Sequence, residues 1–354
     1  MGNIDNTNSI LPQNVFLLSV IIPCYNCEQY IHDCLQSVCK QICNAVEIII
    51  INDGSTDNSL NIINNFSNNY KDKTIKVISQ KNQGLSAARN AGITLASGNY
   101  LAFLDGDDLW APSFWETIKN AIQNLDVDLI EFDAARFYDG NTEKRTTVSI
   151  VSMDGLSKTS SIRDLKETFK KNEWFAWSRV YKKELFNTLR FPAGRNYEDI
   201  ATIPFIYLAS SKIRSIKKEL LLYRVREGSI TFTPSMKNID DAIHALAVFK
   251  KILQQQSNCN IDIIAPAVYL TYGLVRRIST QKHGYYFLNK EQCNNLRIAI
   301  TPFMGTFKFS IKIKVKYIHL YCQLNKIKNL LKYKIIIPYK KESKKMTSQL
   351  TRKS

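Results

Sequence analysis

The chain has 354 residues, 45% hydrophobic and 11% aromatic, with 13 Gly and 9 Pro. That balance excludes collagen-like, low-complexity and wholly disordered proteins, and at roughly 100–200 residues per domain the length supplies two units or one large one. The formal charge of +17 is unevenly spread: 14 Lys and Arg but one acid, Glu342, fall in residues 308–354, which therefore carry +13 and leave +4 for residues 1–307.

Residues 1–16 are polar and Asn-rich, lack a basic n-region, and read as a disordered leader rather than a secretion signal. No apolar run approaches the roughly 18 residues that span a bilayer. Eight cysteines are too sparse for a disulfide scaffold, so the reading is a cytoplasmic protein with reduced thiols.

From residue 17 to about 134, short β-rich runs alternate with amphipathic stretches. The spacing predicts strands at Leu17–Pro23, Glu47–Asp53, Ile75–Gln80, Tyr100–Asp105 and Asp128–Ala134. Helices are predicted at Glu28–Gln41, Ser55–Asn69, Leu85–Ser97 and Pro112–Leu125. Such alternation implies βαβ units, hence an α/β fold with a mostly parallel sheet covered by helices on both faces. Ligands of such sheets bind beyond the carboxyl ends of the strands.

Three polar loops stand at those ends: Pro23-Cys24-Tyr25-Asn26, Asn52-Asp53-Gly54-Ser55-Thr56-Asp57 and Asp105-Gly106-Asp107-Asp108. Ser55, Asp57 and Pro112 serve equally well as caps and turn formers. In the last loop, three carboxylates within four residues raise one another's pKa unless a cation compensates. Oxygen-only ligands favour a hard divalent ion, Mn²⁺ or Mg²⁺, that keeps positions open for water and phosphate. A solvated turn is the alternative.

Other signals carry less. Cys24 and Cys27 form a CxxC followed by Cys34, Cys39 and Cys43, but the last group falls partly inside a predicted helix, unlike paired zinc knuckles. The four histidines show no HExxH spacing, and no Gly-rich phosphate loop occurs. Trp174, Phe175 and Trp177 suit core packing better than an acceptor pocket.

The segments SVIIPCYN, IINDGSTDNS, NQGLSAARNAGI and FLDGDDLW, in that order across Val20–Asp108, resemble the family 2 glycosyltransferases with the GT-A fold. The likeness continues more faintly through WSRVYKKELF, NYEDIATIPF and YRVREGSIT. The resemblance implies that Pro23 and Tyr25 flank a uracil and that Asp53 accepts a hydrogen bond from its ring N–H. Asp105-Gly106-Asp107 matches the DxD motif, with Asp107 as direct metal ligand and Asp105 near ribose or metal-bound water. Arg89 lies where the family contributes a cation near the donor, although a helix-surface role fits equally. Asn52 departs from the Asp more usual in the family. Asp199, second of an acidic pair, would be the base of an inverting displacement, with Glu198 as fallback; an acid in a first helical turn is also favoured by the helix dipole.

The implied organisation is a leader (1–16), a GT-A nucleotide-sugar domain (17–135), an acceptor-side part (136–240), a helical region (241–307) and a basic tail (308–354). The implied reaction moves a hexose or N-acetylhexosamine from a UDP-sugar to a hydroxyl of a glycan acceptor, lipid-linked, in bacterial capsule, O-antigen or lipooligosaccharide synthesis. In the tail, Leu324, Ile327, Leu330 and Leu331 recur at helical spacing beside Lys326, Lys328 and Lys332. That pattern suits an anionic membrane surface on the inner face of the cell membrane; nucleic acid and a merely solvated lysine face are the competing readings. Two rival functions remain: a metal-dependent nucleotidyltransferase and a non-catalytic nucleic-acid-binding module.

Overall fold

β1 (Leu18–Cys24) and β2 (Val46–Asn52) are buried along their whole length. Strands that are apolar at successive positions, not alternate ones, belong in the middle of a parallel sheet with both faces covered. In the computed structural model, which describes residues 16–139, 141–158, 162–225, 234–255 and 260–331, they do pair in parallel. β3 (Thr74–Ser79) adds to β2 and β4 (Tyr100–Phe103) to β1, again in parallel. The crossovers are α1 (Ile31–Cys39), α2 (Ser59–Asn69) and α3 (Leu85–Leu95). On α1, Ile31, Cys34, Leu35 and Val38 are buried at the spacing of one helical face.

The chain continues through β5 (Leu109–Trp110), α4 (Phe114–Asn124), β6 (Leu129–Tyr138), β7 (Asn141–Val148), β8 (Gly155–Lys158) and α5 (Ile162–Lys171). β9 (Arg179–Lys182), α6 (Glu198–Ala209) and β10 (Lys212–Val225) complete the sheet, whose order is β3-β2-β1-β4-β9-β6-β10-β5. β7 pairs with β6 and β8 with β10. The result is a mixed sheet: β9 runs antiparallel to both β4 and β6, and β10 runs parallel to β6.

A buried polar network fixes β9 in its slot. Arg179, opposite Glu131 in the ladder, donates from Nε to the Tyr207 hydroxyl at 2.7 Å. Tyr207 in turn donates to Glu131, whose other oxygen accepts from Ser215 at 2.7 Å. Since buried charges are tolerated only when paired and hydrogen-bonded, the network admits one register. A second network ties the start of the sheet: Glu47 accepts from Ser19 Oγ at 2.6 Å and pairs with Lys76 Nζ at 2.7 Å.

The C-terminal helices are α7 (Met236–Gln255), α8 (Ile261–His283), α9 (Lys290–Ile300), α10 (Phe309–Lys316) and α11 (318–331). Their core includes Leu246 and Phe249 of α7, Ile264 and Val268 of α8, and Leu296 of α9. A capping box between Asn289 and Gln292 opens α9. None of the described helices is long and apolar enough to cross a membrane.

By packing, the chain forms two units that interleave along the sequence. The first takes the described residues of Met1–Asp164, Glu173–Arg195 and Thr202–Arg226; the second takes those of Leu165–Asn172, Asn196–Ala201 and Glu227–Ser354. The expected leader lies outside the described residues except for residue 16, as does the tail beyond residue 331.

Candidate active site

Because β1, β2 and β4 are parallel, their carboxyl ends share one edge of the sheet, and the three polar loops leave from it. The first two loops are sewn together. Asn26, in the left-handed region at φ 50°, accepts from the Thr56 N–H at 2.8 Å, while Cys27 N–H donates to Ser59 Oγ at 2.8 Å. Glu28 N–H donates to Asp57 at 3.0 Å, and Asn58 N–H returns a bond to Glu28 at 2.9 Å. Burial alone would raise the Asp57 pKa, but the donors on Ser59 and Glu28 outweigh it and hold the carboxyl low. Ser55 and Asp57 therefore act as loop ties, which is why α2 starts at Ser59 and not at Ser55.

Tyr25 stands out from this base with its side chain half exposed, while Pro23 is buried in β1. Asp53 is buried beneath the second loop. Its Oδ1 accepts from Gln80 Nε2 at 2.7 Å and Gln83 N–H at 3.0 Å, and its Oδ2 accepts from Gly84 N–H at 2.7 Å. These bonds order the loop that opens α3. An ionised carboxylate has about four acceptor positions, so three protein donors leave one. Gly54 is obligatory here: its φ is +72°, and a Cβ would lie 2.7 Å from the Asn82 nitrogen.

The acidic loop packs directly on the first. A Cβ on Gly106 would sit 3.2 Å from the Pro23 carbonyl oxygen and 3.5 Å from Cys27 Sγ. The three aspartates of this loop have different surroundings. Asp105 is 25% exposed and pairs with Arg89 at 2.9 Å; Arg89 itself is 1% exposed, with its guanidinium 5.4 Å from the Phe191 ring centre. Arg89 thus faces inward to the site, not outward from the helix. Asp107 is partly exposed, and its carbonyl accepts from Arg224 Nε at 2.9 Å.

Asp108, third of the carboxylates grouped by sequence, points elsewhere. It is buried and its Oδ1 accepts from the Arg224 backbone N–H at 2.8 Å. Burial first, then the Asp107 and Asp105 charges, push its carboxyl well above the usual range. Tyr223 feels the same field: burial and then the three aspartates raise its phenol.

Arg224 is the residue that sequence reasoning passed over, although it lies within the YRVREGSIT segment. Besides its two bonds to the acidic loop, it donates to Asp139 at 2.6 Å. Its guanidinium lies 4.8 Å from the Tyr30 ring centre and 4.7 Å from that of Phe137. Beside it, Phe175, Trp177 and Tyr223 stack in series at 4.7 Å and 5.5 Å. Trp174 and Trp177 are core residues, while the ends of the stack, Phe175 and Tyr223, are only partly buried.

The donor set fits a hard divalent ion of a particular kind. Among the described residues no three His, Cys, Asp or Glu side chains converge, so a closed protein cage is not what these residues offer. Two aspartates of one loop suit an ion that completes its shell with water and phosphate oxygens, as Mg²⁺ or Mn²⁺ does. The Cys27 thiol lies against this loop: its hydrogen bond to Cys24, burial, and then the Cys24 and Asp107 charges push it up, keeping it a neutral thiol.

Glu198 and Asp199 open α6 but belong by packing to the second unit, whereas Asp53, Arg89, Asp105 and Asp107 belong to the first. Glu198 is buried and Asp199 partly exposed. Tyr197 before them is left-handed at φ 61°. Asn196 ties this segment to α7, its N–H donating to Asp241 at 3.0 Å and its amide to Asn238 at 3.1 Å.

Residues 19–197 match the model of Glycosyl transferase family 2. The chain belongs to this family. Glycosyltransferase GlyG of Streptococcus pneumoniae is 35% identical over 232 residues, 61% of this chain and 73% of GlyG. Glycosyltransferase GlyA of the same organism is 35% identical over 222 residues, 60% of this chain but only 31% of GlyA, so the chain spans about a third of that relative. Among solved structures, S. aureus TarS 1–349 in complex with UDP-GlcNAc superposes with a TM-score of 0.63 at 19% identity, covering 81% of this chain and 80% of TarS. At that identity the likeness is one of fold, and it establishes the GT-A-like architecture.

Proposed function

We propose that this family 2 protein transfers a hexose or N-acetylhexosamine from a UDP-sugar, with inversion, to a hydroxyl of a lipid-linked glycan at the inner face of a bacterial membrane. The observation that carries the reading is the shared edge: an exposed Tyr25 ring, a buried Asp53 and the Asp105–Asp107 pair all leave the carboxyl ends of adjacent parallel strands. TarS, a structural neighbour, was solved with UDP-GlcNAc, which supports a UDP-sugar donor.

In this reading the uracil stacks on Tyr25 beside Pro23 and gives its ring N–H to the remaining acceptor position of Asp53. Asp107 and Asp105 would hold Mn²⁺ or Mg²⁺, which when bound supplies positive charge against the departing diphosphate. Arg89 orients Asp105 through their ion pair, and Arg224 fixes the Asp107 backbone. Asp199, or failing it Glu198, takes the proton of the acceptor hydroxyl. An ordinary carboxylate suffices if proton transfer lags behind attack on the anomeric carbon. The half-buried Phe175 and Tyr223 rings offer apolar faces to a sugar.

The test is a panel of UDP- and GDP-sugars with Mn²⁺ or Mg²⁺, scored for nucleoside diphosphate release and transferred sugar. Asp107→Ala abolishes turnover, and Asp199→Asn still binds UDP while losing transfer. Pyrophosphate among the products would instead mark a nucleotidyltransferase; wild-type rates in Asp199→Asn would remove it as base.

A further inference from the structure

The C-terminal helix α11 (318–331) has two apolar faces. Its inner face is set by Ile318 and Cys322, which are 2% and 1% exposed. Cys322 faces the buried Cys293 of α9, and α10 packs inward through Ile311 and Val315. On the far side, Leu320, Leu324, Ile327 and Leu331 are each between 51% and 58% exposed. At 3.6 residues per turn these four fall within about 60° of one another, opposite Ile318 and Cys322. A stripe of leucine and isoleucine about three turns long in water is costly, and contiguous exposed patches mark interaction surfaces.

The charges beside the stripe say what it meets. Lys326 and Lys328 lie on its two flanks, and across residues 308–331 there are six lysines and no acid. The ammonium of Lys326 sits 5.7 Å from the Phe287 ring centre, that of Lys314 5.3 Å from Tyr321, and that of Lys316 5.4 Å from Tyr317. The stripe has the spacing of a coiled-coil seam, so a second copy of this chain is the rival occupant. However, seams of that kind are specified by complementary charges at their flanks, and here every flanking charge is positive in either orientation. An acidic protein would satisfy the lysines but gives the aliphatic stripe nothing particular. Anionic lipid satisfies both: acyl chains receive the leucines while lysine stems lie along the interface with their heads in the phosphate layer.

We propose that the outer face of α11 is a membrane-docking surface that lies in the plane of an anionic bilayer, with Leu320, Leu324, Ile327 and Leu331 inserted and Lys326 and Lys328 at headgroup level. This deepens the membrane-linked reading above and rests on it for its purpose, though not for the binding itself. The sequence reading assigned the whole basic tail to this task; among the described residues, the proposal puts it on the outer face of α11.

The test is flotation of the full chain with vesicles of phosphatidylcholine alone or mixed with phosphatidylglycerol. Wild type floats with the anionic vesicles only. Leu324→Gln with Ile327→Gln, both solvent-facing and so compatible with folding, weakens partitioning by about tenfold or more, equivalent to ~1.4 kcal/mol. Lys326→Gln with Lys328→Gln weakens it less and flattens its salt dependence. Unchanged flotation of the Leu324/Ile327 variant, or equal binding to neutral vesicles, overturns the proposal. So does a dimer in light scattering that this variant dissolves without lipid binding. UDP-sugar turnover with a water-soluble acceptor is followed in parallel. Its absence in wild type with flotation intact would sink the donor reading and leave the surface standing.

Discussion

Arg224 is where one side chain does most to shape the candidate site. Its Nε and its backbone N–H each bond the acidic loop, and its planar head lies between Tyr30 and Phe137. Lysine carries the charge but neither the fork nor the flat face. Arg224→Lys should therefore lower kcat by up to about 10²-fold, the scale of a small misplacement of reacting groups, with little change in the melting temperature. Steady-state rates alongside a thermal melt check this; a parallel loss of both would reduce Arg224 to a structural part. Asp105 and Asp107 stand out in the sequence because the acidic motif is local. Arg224 does not, since its partnership spans more than a hundred residues and exists only once β10 pairs with β5 and β6. Asp108 illustrates the reverse: sequence adjacency grouped it with Asp105 and Asp107, and the turn of the chain buries it away from them.

Apart from the two-residue β5, the strands and helices of the first 135 residues lay open in the sequence, because buried parallel strands and one-sided helices each leave a strong apolar period. Their ends shifted by a few residues wherever side chains of Ser55, Asp57 or Asn26 captured backbone groups for the loops. β9 was illegible: four residues, RVYK, carry no period. Its antiparallel insertion depends on the distant Arg179–Tyr207–Glu131 network. The Glu47–Lys76 tie between β2 and β3 gives a test at this scale. Burial would raise the Glu47 pKa, but Lys76, Ser19 and Ser97 overcome it and hold the folded value low. A lowered folded pKa stabilises above the ordinary carboxylate value near ~4.3. That contribution disappears as pH falls from there through the lowered value. Glu47→Gln should cost about 1–3 kcal/mol near neutrality, and urea midpoints should show the gap to wild type closing on acidification. A gap independent of pH would refute the charge argument.

At the scale of the molecule, the sequence suggested a succession of segments, whereas packing assembles the second unit from three separate stretches of chain. Two of them, Leu165–Asn172 and Asn196–Ala201, interrupt the first unit. Leu165 and Phe169 are buried, and Asn196 bonds Asp241 and Asn238. Ending the chain at residue 226 should therefore yield an aggregating product without a cooperative melt, even though the whole family match at 19–197 is retained. A soluble, sharply melting fragment would show the second unit to be dispensable.

The interleaving also bears on how such proteins could be re-engineered or could diversify. Glu198 and Asp199 travel with the C-terminal helices in packing but with the sheet of the first unit in sequence. Exchanging everything after residue 226 between relatives would leave the donor hexapeptide 196–201 stranded against foreign helices. A workable chimera would carry that hexapeptide and the 165–172 stretch as additional crossovers, so recombination by a single breakpoint is a poor route to a well-packed hybrid in this architecture.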